Sequence, residues 1–156
     1  MTKVDQILCA DYIVTMDPDF RILHEAAIAV NADSIIALDD RKKILDVFES
    51  DNVIDFGDST ILPGLVNAHT HVPMSLLRGL ADDLRLDVWL LGYMMPVERE
   101  FVSPEFCRLG TLLSCAEMIR SGVTSFADMY YFEDTVAEAT AIAGLRASPA
   151  RLSMAC

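Results

Sequence analysis

The chain has 156 residues, of which 53% are hydrophobic and 23% charged, and its formal net charge is −12. This length allows one ordinary domain with a sizeable core, but a closed eight-stranded α/β barrel needs about 200 residues or more. The acidic balance argues against nucleic acid or an anionic membrane as a partner, because phosphate groups attract basic surfaces.

Residues 1–62 alternate short apolar runs with polar turns, which predicts a small layer of β-strands. Asn31-Ala32-Asp33 has the composition of a hairpin turn, because Asn and Asp tolerate the positive φ that such turns require. The predicted elements are strands at residues 7–14, 26–30 and 34–38, a short amphipathic helix within 41–49 and a further strand at 53–56.

From residue 63 the pattern changes to strands alternating with helices, which is typical of βα units and a parallel sheet. Pro63-Gly64 precedes an apolar strand, and Ser103-Pro104-Glu105 supplies an N-cap, a first-turn proline and an acid for a helix that Gly122 ends. A second strand is predicted at 123–130, a second helix at 133–143 closed by Gly144, and the start of a third strand at 145–147. The first helix places four apolar side chains on one face, as in an amphipathic helix: Phe106, Leu109, Leu113 and Ala116.

Two histidines lie one residue apart at the end of the strand that follows Pro63-Gly64. Side chains alternate between the faces of a strand, so His69 and His71 point the same way and can bind one metal ion together. A hydrolytic Zn²⁺ centre usually has three protein ligands and an open position for water, so the pair supplies part of such a centre. The remaining histidine, His24, lies far upstream and is predicted to be at the surface or in a turn.

A set of motifs surrounds and follows this histidine pair. They are Leu65-Val66-Asn67-Ala68-His69-Thr70-His71, Pro73-Met74-Ser75-Leu76-Leu77-Arg78-Gly79-Leu80-Ala81-Asp82-Asp83-Leu84, Asp87-Val88-Trp89-Leu90, Gly110-Thr111-Leu112-Leu113, Ala116-Glu117-Met118-Ile119-Arg120-Ser121-Gly122-Val123-Thr124 and Phe126-Ala127-Asp128-Met129-Tyr130. Together they resemble the amidohydrolase superfamily, and most closely its branch that deaminates 5′-methylthioadenosine and S-adenosylhomocysteine. The resemblance covers most of residues 1–147 and is densest from residue 61 to residue 131.

The resemblance implies an α/β fold, namely the start of a (β/α)8 TIM-like barrel of a metal-dependent hydrolase, preceded by part of a small β-sandwich. It divides the chain into sandwich residues 1–62, the first βα units of the barrel at 63–147 and a tail at 148–156 that does not resemble the family. The tail indicates a truncated or frame-shifted end, or else a natural short variant. The chain is therefore expected to be the N-terminal portion of a longer enzyme and to be inactive alone.

The site residues implied by the resemblance are two metal ligands and two substrate-binding residues. His69 and His71 match two ligands of a single Zn²⁺ per complete active site. Glu98 matches a glutamate in the loop region after the first strand that binds the ribose hydroxyls, and a carboxylate can accept hydrogen bonds from two vicinal hydroxyls. The alternative for Glu98 is a solvated charge beside Arg99. Trp89, the only tryptophan, either walls the substrate pocket or belongs to the core.

The implied activity is hydrolytic deamination of an adenine nucleoside, a small-molecule substrate, and oligomerisation is possible. The acid/base groups and further metal ligands of the family are expected beyond residue 156, so no catalytic residue is assigned. One alternative is another amidohydrolase reaction, such as guanine or cytosine deamination or triazine hydrolysis. The other is a non-enzymatic remnant that serves as an interaction or metal-binding module. Glu98 and the run at residues 80–84 favour a nucleoside over a bare base.

Cysteine usage and the N-terminus predict a reduced, cytoplasmic protein. Cys107 and Cys115 are eight residues apart in a predicted helix, which separates them by about 12 Å along the axis and excludes a disulfide. No apolar run approaches the ~20 residues of a membrane span, and the first residues lack the charged start and apolar core of a signal peptide.

Overall fold

The computed structural model describes residues 1–149. The chain divides into two compact units, Met1–Pro63 and Gly64–Cys156. No helix in the described part of the chain is long and apolar enough to cross a membrane. The fold is of the mixed α/β class, as predicted.

The first unit is a β-layer with one short helix. Its elements are β1 (Thr2–Lys3), β2 (Gln6–Val14), β3 (Ile22–Asn31), β4 (Ser34–Asp40), α1 (Arg41–Val47), β5 (Phe48–Glu49), β6 (Val53–Asp55) and β7 (Thr60–Ile61). The main sheet has the order β4-β3-β2-β6, in which β2, β3 and β4 are antiparallel and β6 and β7 run parallel to β2. β1 and β5 form a separate parallel pair.

Alternation along β3 contributes to two apolar clusters in the first unit. Ala27 and Ala29 belong to one cluster with Ile7 of β2 and Ile44 of α1, and Ala26 and Ile28 belong to the other. Neighbouring residues of a strand face opposite sides, so the consecutive alanines of β3 serve both clusters. The predicted strands and helix of this unit are confirmed.

The hairpin between β3 and β4 is also confirmed, with one difference in its turn. The positive φ, 52°, is at Ala32 and not at the neighbouring Asn31 or Asp33. The Ala32 N–H donates to Asp5 Oδ2 at 2.7 Å, and this long-range hydrogen bond holds the turn. Tertiary contact therefore offsets the unfavourable backbone conformation of a residue with a Cβ.

The second unit is built from parallel strands and helices. Its elements are β8 (Leu65–Thr70), a 3₁₀ helix (Val72–Leu77), α2 (Leu86–Val88), a π-helical segment (Trp89–Met94), α3 (Met95–Phe101), α4 (Pro104–Arg120), β9 (Val123–Asp128), α5 (Glu133–Ala143) and β10 (Arg146–Pro149). The sheet order is β10-β9-β8, all parallel. β10 confirms the predicted third strand and continues through residues 148–149, the start of the predicted tail. The rest of that tail, 150–156, lies outside the described residues.

α4 begins and ends as predicted. The Ser103 hydroxyl accepts a hydrogen bond from the Phe106 N–H at 3.2 Å, and Gly122, with φ +76°, follows the last turn.

The buried face of α4, in contrast, differs from the apolar face predicted from the sequence. Leu109 and Leu113 are 47% and 40% exposed. The 3₁₀ helix runs so close to α4 that a Cβ at Gly110 would lie 2.5 Å from the carbonyl oxygen of Pro73, so only glycine, which has no Cβ, allows this approach. The buried residues of α4 are Cys107, Gly110, Thr111, Cys115 and Met118.

Candidate metal and substrate site

The two histidines lie side by side at the carboxyl end of β8. His69 is the penultimate residue of the strand, and His71 follows it directly. Their ring centroids are 5.1 Å apart with an angle of 76° between the ring planes. His69 is exposed and His71 is half-buried, so both imidazoles can reach a ligand from the same end of the sheet.

A backbone carbonyl fixes the proton on the His71 ring. Nδ1 of His71 lies 2.6 Å from the carbonyl oxygen of Met129, at the end of β9. A carbonyl oxygen only accepts, so Nδ1 carries the hydrogen and Nε2 keeps a free lone pair. Metal-binding histidines commonly donate their second nitrogen to such a partner, and the arrangement therefore fits zinc ligation through Nε2.

The histidine pair is not part of a larger ligand cluster within the described residues. Between residues 1 and 149, no three His, Cys, Asp or Glu side chains come together in a group that could hold a metal ion. Two imidazoles thus match part of the three-ligand set of a hydrolytic zinc centre. Metal ligation by His69 and His71 stays a prediction.

Asp128 joins the end of β9 to the end of β8. Its carboxylate is almost completely buried, and Oδ1 accepts from Thr70 Oγ1 at 2.6 Å and from the Val72 N–H at 2.8 Å. Thr70 and Val72 flank His71, so these bonds hold the backbone on both sides of that residue. Burial raises the pKa of Asp128, and the bonds from Thr70 and Val72 oppose this shift. Asp128 Oδ2 is buried without a partner among the described residues.

A second buried acid lies at the start of α5. Glu133 accepts a hydrogen bond from the backbone N–H of Tyr130, so it holds the segment that follows β9. Burial raises the pKa of Glu133, and the bond from Tyr130 opposes this shift. The nearby charge of Asp128 raises the same pKa further, as expected for two neighbouring acids, and His71 lowers it.

Glu98 lies in helix α3, where the sequence had predicted a loop region, and it is half-buried. Its Oε1 accepts a hydrogen bond from the Tyr130 hydroxyl at 2.8 Å. The Tyr130 ring is buried, and its centroid is 6.3 Å from that of His71. Tyr130 thus lies beside the His71 ring and binds the predicted ribose-binding acid. A crevice of about 270 Å³ opens beside Glu98 and Arg99.

The structure places the two other residues considered from the sequence away from these contacts. Trp89 is half-buried at the start of the π-helical segment, and none of the aromatic contacts within residues 1–149 involves it. Its pocket role stays a prediction. His24 belongs to β3 of the first unit, where it pairs with Tyr12 across the sheet, with ring centroids 4.9 Å apart. It is exposed but lies in a strand, not in a turn.

Sequence reasoning missed the contribution of three consecutive residues, Asp128, Met129 and Tyr130. The available signal was their position, because the carboxyl ends of neighbouring parallel strands meet at one edge of the sheet. Asp128 acts through its hydrogen bonds to the end of β8. Met129 acts through its backbone carbonyl, which every residue type has, so the residue type at this position could not have indicated the contact.

Comparison with known proteins places these features in a family. The model of the amidohydrolase family matches residues 60–156. The chain is 49% identical over 142 residues to a 5-methylthioadenosine/S-adenosylhomocysteine deaminase of Nitratidesulfovibrio vulgaris, and the match covers 91% of the chain and 32% of that protein. The chain therefore spans about a third of the length of this relative.

Solved structures show the same fold. An adenosine deaminase from Xanthomonas campestris with bound zinc superposes with a TM-score of 0.90 at 40% identity, over 94% of this chain and 33% of the other. The zinc complex of atrazine chlorohydrolase TrzN from Arthrobacter aurescens has a TM-score of 0.84 at 24% identity, over 97% and 36%, and shows the fold alone. The second unit is thus the start of an amidohydrolase-type α/β barrel. The family match, the parallel strands and the paired histidines at their carboxyl ends agree, and the chain belongs to the amidohydrolase family.

Proposed function

We propose that this chain provides two zinc ligands and the ribose-binding acid of a deaminase that acts on adenine nucleosides such as 5′-methylthioadenosine and S-adenosylhomocysteine. One observation carries the proposal. His69 and His71 lie side by side at the carboxyl end of a parallel sheet, and Tyr130, beside His71, donates a hydrogen bond to Glu98. The activity named for the 49% identical relative, a 5-methylthioadenosine/S-adenosylhomocysteine deaminase, supports the same substrate class.

His69 and His71 are the residues that would hold the metal. Bound Zn²⁺ lowers the pKa of its water toward neutrality, which supplies the nucleophile of a hydrolytic deamination. The Met129 carbonyl keeps the His71 proton on Nδ1, and Asp128 holds the backbone on either side of His71. The two structures with bound zinc that share this fold support zinc as the metal.

Glu98 provides the preference for a nucleoside. A carboxylate has about four lone-pair directions, and the bond from Tyr130 occupies one of them. Two vicinal ribose hydroxyls can donate to the others, with charge-assisted hydrogen bonds. A bare base has no such hydroxyls. The triazine hydrolase likeness concerns the fold alone, so no specific observation favours that reaction here.

We expect the chain to bind and orient and not to turn over substrate by itself. The histidine pair is two ligands short of a four-coordinate site, and positioned acid/base groups are typically worth 10²–10⁴-fold in rate. No measurable ammonia should therefore be released from 5′-methylthioadenosine by residues 1–156 with zinc supplied. Zinc-dependent turnover by this chain as a pure monomer would contradict that expectation.

Zinc titration of the chain tests the metal assignment directly. Calorimetry should show one weakly bound Zn²⁺, and imidazole NMR signals should show Nδ1 of His71 protonated and Nε2 perturbed by the metal. The His69→Ala/His71→Ala variant should lose this binding, because both ligands are gone. His24→Ala is the matched control and should bind as the wild type does, since His24 lies in the other unit. Equal binding by the double variant would overturn the assignment.

A further inference from the structure

The hydrogen bond between Tyr130 and Glu98 has a function of its own. We propose that Tyr130 is a positioning residue that fixes the Glu98 carboxylate toward the ribose hydroxyls and thereby sets a preference for ribonucleosides over their deoxy analogues. The inference rests on the proposed function, because it requires Glu98 to bind ribose. It concerns a residue that touches the acid and not the reacting atoms.

Tyr130 is held rigidly enough to serve as a fixed point. Only 4% of the residue is exposed, and its backbone N–H donates to the buried carboxylate of Glu133. Its ring also packs edge-on against Tyr131, with centroids 5.0 Å apart and an angle of 69° between the planes. A buried aromatic ring with two χ angles and an anchored backbone has few alternative positions.

Glu98, in contrast, needs a fixed partner. It is a long, half-buried side chain on a seven-residue helix, and the charged side chains of Arg99 and Glu100 beside it are exposed. Such a side chain loses considerable rotamer entropy when it is held in one conformation. The 2.8 Å bond from the Tyr130 hydroxyl fixes it before a ligand arrives, so less entropy is lost on binding.

The donor in this bond is permanent. Burial raises the pKa of Tyr130 far above its ordinary value, and the hydrogen bond to Glu98 acts in the same direction. The phenol therefore keeps its hydrogen and directs it at the Glu98 carboxylate, which can only accept. One oxygen of Glu98 is oriented while most of its lone pairs remain available to a ligand.

The same short segment also sets the position of the metal-side imidazole. The carbonyl of Met129 accepts from His71 Nδ1, and the next residue, Tyr130, binds Glu98. Two consecutive residues after β9 therefore set the spacing between the predicted metal ligand and the predicted ribose-binding acid. This spacing must match the distance from the reacting ring carbon to the sugar, which makes the segment a determinant of substrate choice.

Ligand binding by the zinc-loaded 156-residue chain tests the proposal without turnover. Adenosine and 2′,3′-dideoxyadenosine are titrated, and the methyl signals of Met95 and Val102 beside Glu98 report binding by NMR. The wild type should prefer adenosine. Tyr130→Phe, which keeps the ring and removes the hydroxyl, should weaken adenosine binding about three- to tenfold and leave the dideoxy ligand unchanged.

Further variants keep the test decisive. Glu98→Asp keeps the charge but withdraws the carboxylate by one methylene from the Tyr130 hydroxyl, so it should lose the same preference even if Tyr130→Phe does not fold. Tyr130→Phe combined with Glu98→Gln should bind no worse than Glu98→Gln alone, because Tyr130 acts through Glu98. Tyr93→Phe, an exposed tyrosine outside these contacts, is the matched control.

The outcomes separate this inference from the proposed function. If the wild type does not prefer adenosine, the ribose role of Glu98 is wrong, and the inference is wrong with it. If Glu98→Gln removes the preference but Tyr130→Phe and Glu98→Asp retain it, the ribose role stands and the positioning role of Tyr130 is overturned.

Discussion

Both units of this chain carry exposed ion pairs, but the buried acids of the described residues lie in the second unit. In the first unit, Asp17, Asp39 and Asp51 form ion pairs with Arg21, Lys43 and Lys3, and a basic or hydrogen-bonding partner lowers the pKa of each. In the second unit, Asp128 and Glu133 are buried, and burial raises the pKa of each despite the hydrogen bonds they accept.

This difference matters because a buried acid can hold the backbone more firmly than an exposed ion pair can. The exposed ion pairs of the first unit contribute little, because water and salt screen them. The buried acids of the second unit accept hydrogen bonds from the backbone of Val72 and Tyr130, next to the predicted site. Buried carboxylates that accept backbone hydrogen bonds are thus used where the ends of parallel strands must be held in place.

The sheets of the two units also differ in how far their strands are buried. Ala26 and Ala27 in β3 are completely buried by clusters on both faces, whereas Val66 in β8 is 69% exposed. Strands of an α/β barrel are normally covered on both faces. Among the described residues, β8 at Val66 therefore has less apolar cover than β3 at Ala26 and Ala27.

Removing the Asp128 carboxylate should have the largest effect on stability. Asp128→Ala leaves the Val72 N–H and the Thr70 hydroxyl without this acceptor, and we expect the free energy of unfolding of the second unit to fall by about 3 kcal/mol. The fluorescence of Trp89, the only tryptophan, follows this unit in urea. Asp51→Ala, in an exposed ion pair of the first unit, is the control and should change nothing measurable. Equal effects would remove the contrast between the units.

Adding one methyl group to α4 should have a smaller effect. Gly110→Ala places a Cβ 2.5 Å from the backbone oxygen and 2.7 Å from the Cα of Pro73, so the 3₁₀ helix must move. We expect a loss of about 2 kcal/mol in the urea unfolding of the second unit. Gly92→Ala is the matched control, because nothing lies within 4 Å of its Cβ, and it should be neutral or slightly stabilising. An unchanged Gly110→Ala variant would mean that the close packing is dispensable.

Glu133 of the second unit and Asp39 of the first should contribute to the pH dependence of stability with opposite signs. Because the folded pKa of Glu133 is raised above its ordinary 4.5, its contribution is complete below that value and is lost as the pH rises toward the raised pKa. Glu133→Gln should therefore reduce the decline in stability of the second unit between acidic and neutral pH. Urea unfolding followed by Trp89 fluorescence measures this small difference.

Asp39 provides the counterpart in the first unit. Its pKa is lowered from the ordinary 3.8 by the hydrogen bond from the Asp40 N–H and by Lys43, so its contribution is present above 3.8 and is lost as the pH falls. Asp39→Asn should flatten the acid side of the profile, measured by amide hydrogen exchange in β4. A first unit that becomes more stable on acidification through this range would contradict the comparison.

Local signals in the sequence determined most of the secondary structure. Helix α4 begins after Ser103 and ends before Gly122, as predicted. The Ser103 side chain accepts a hydrogen bond from the first turn, and Gly122 is free to adopt a positive φ, so both signals act over one helical turn. The alternation of faces along a strand likewise brought His69 and His71 together. These outcomes depend on neighbours in the chain and were therefore readable from it.

Only the tertiary structure decided which groups complete the candidate site and which face of α4 is buried. The bonds of Asp128 to Thr70, of Met129 to His71 and of Tyr130 to Glu98 span 32 to 58 residues of chain. The same is true of the approach of Pro73 to Gly110, which buries the small residues of α4 and leaves its leucines exposed. Composition and periodicity describe a residue's own element. The partner that such an element meets is set by how strands and helices pack, because packing selects shape and hydrogen-bond geometry across distant parts of the chain.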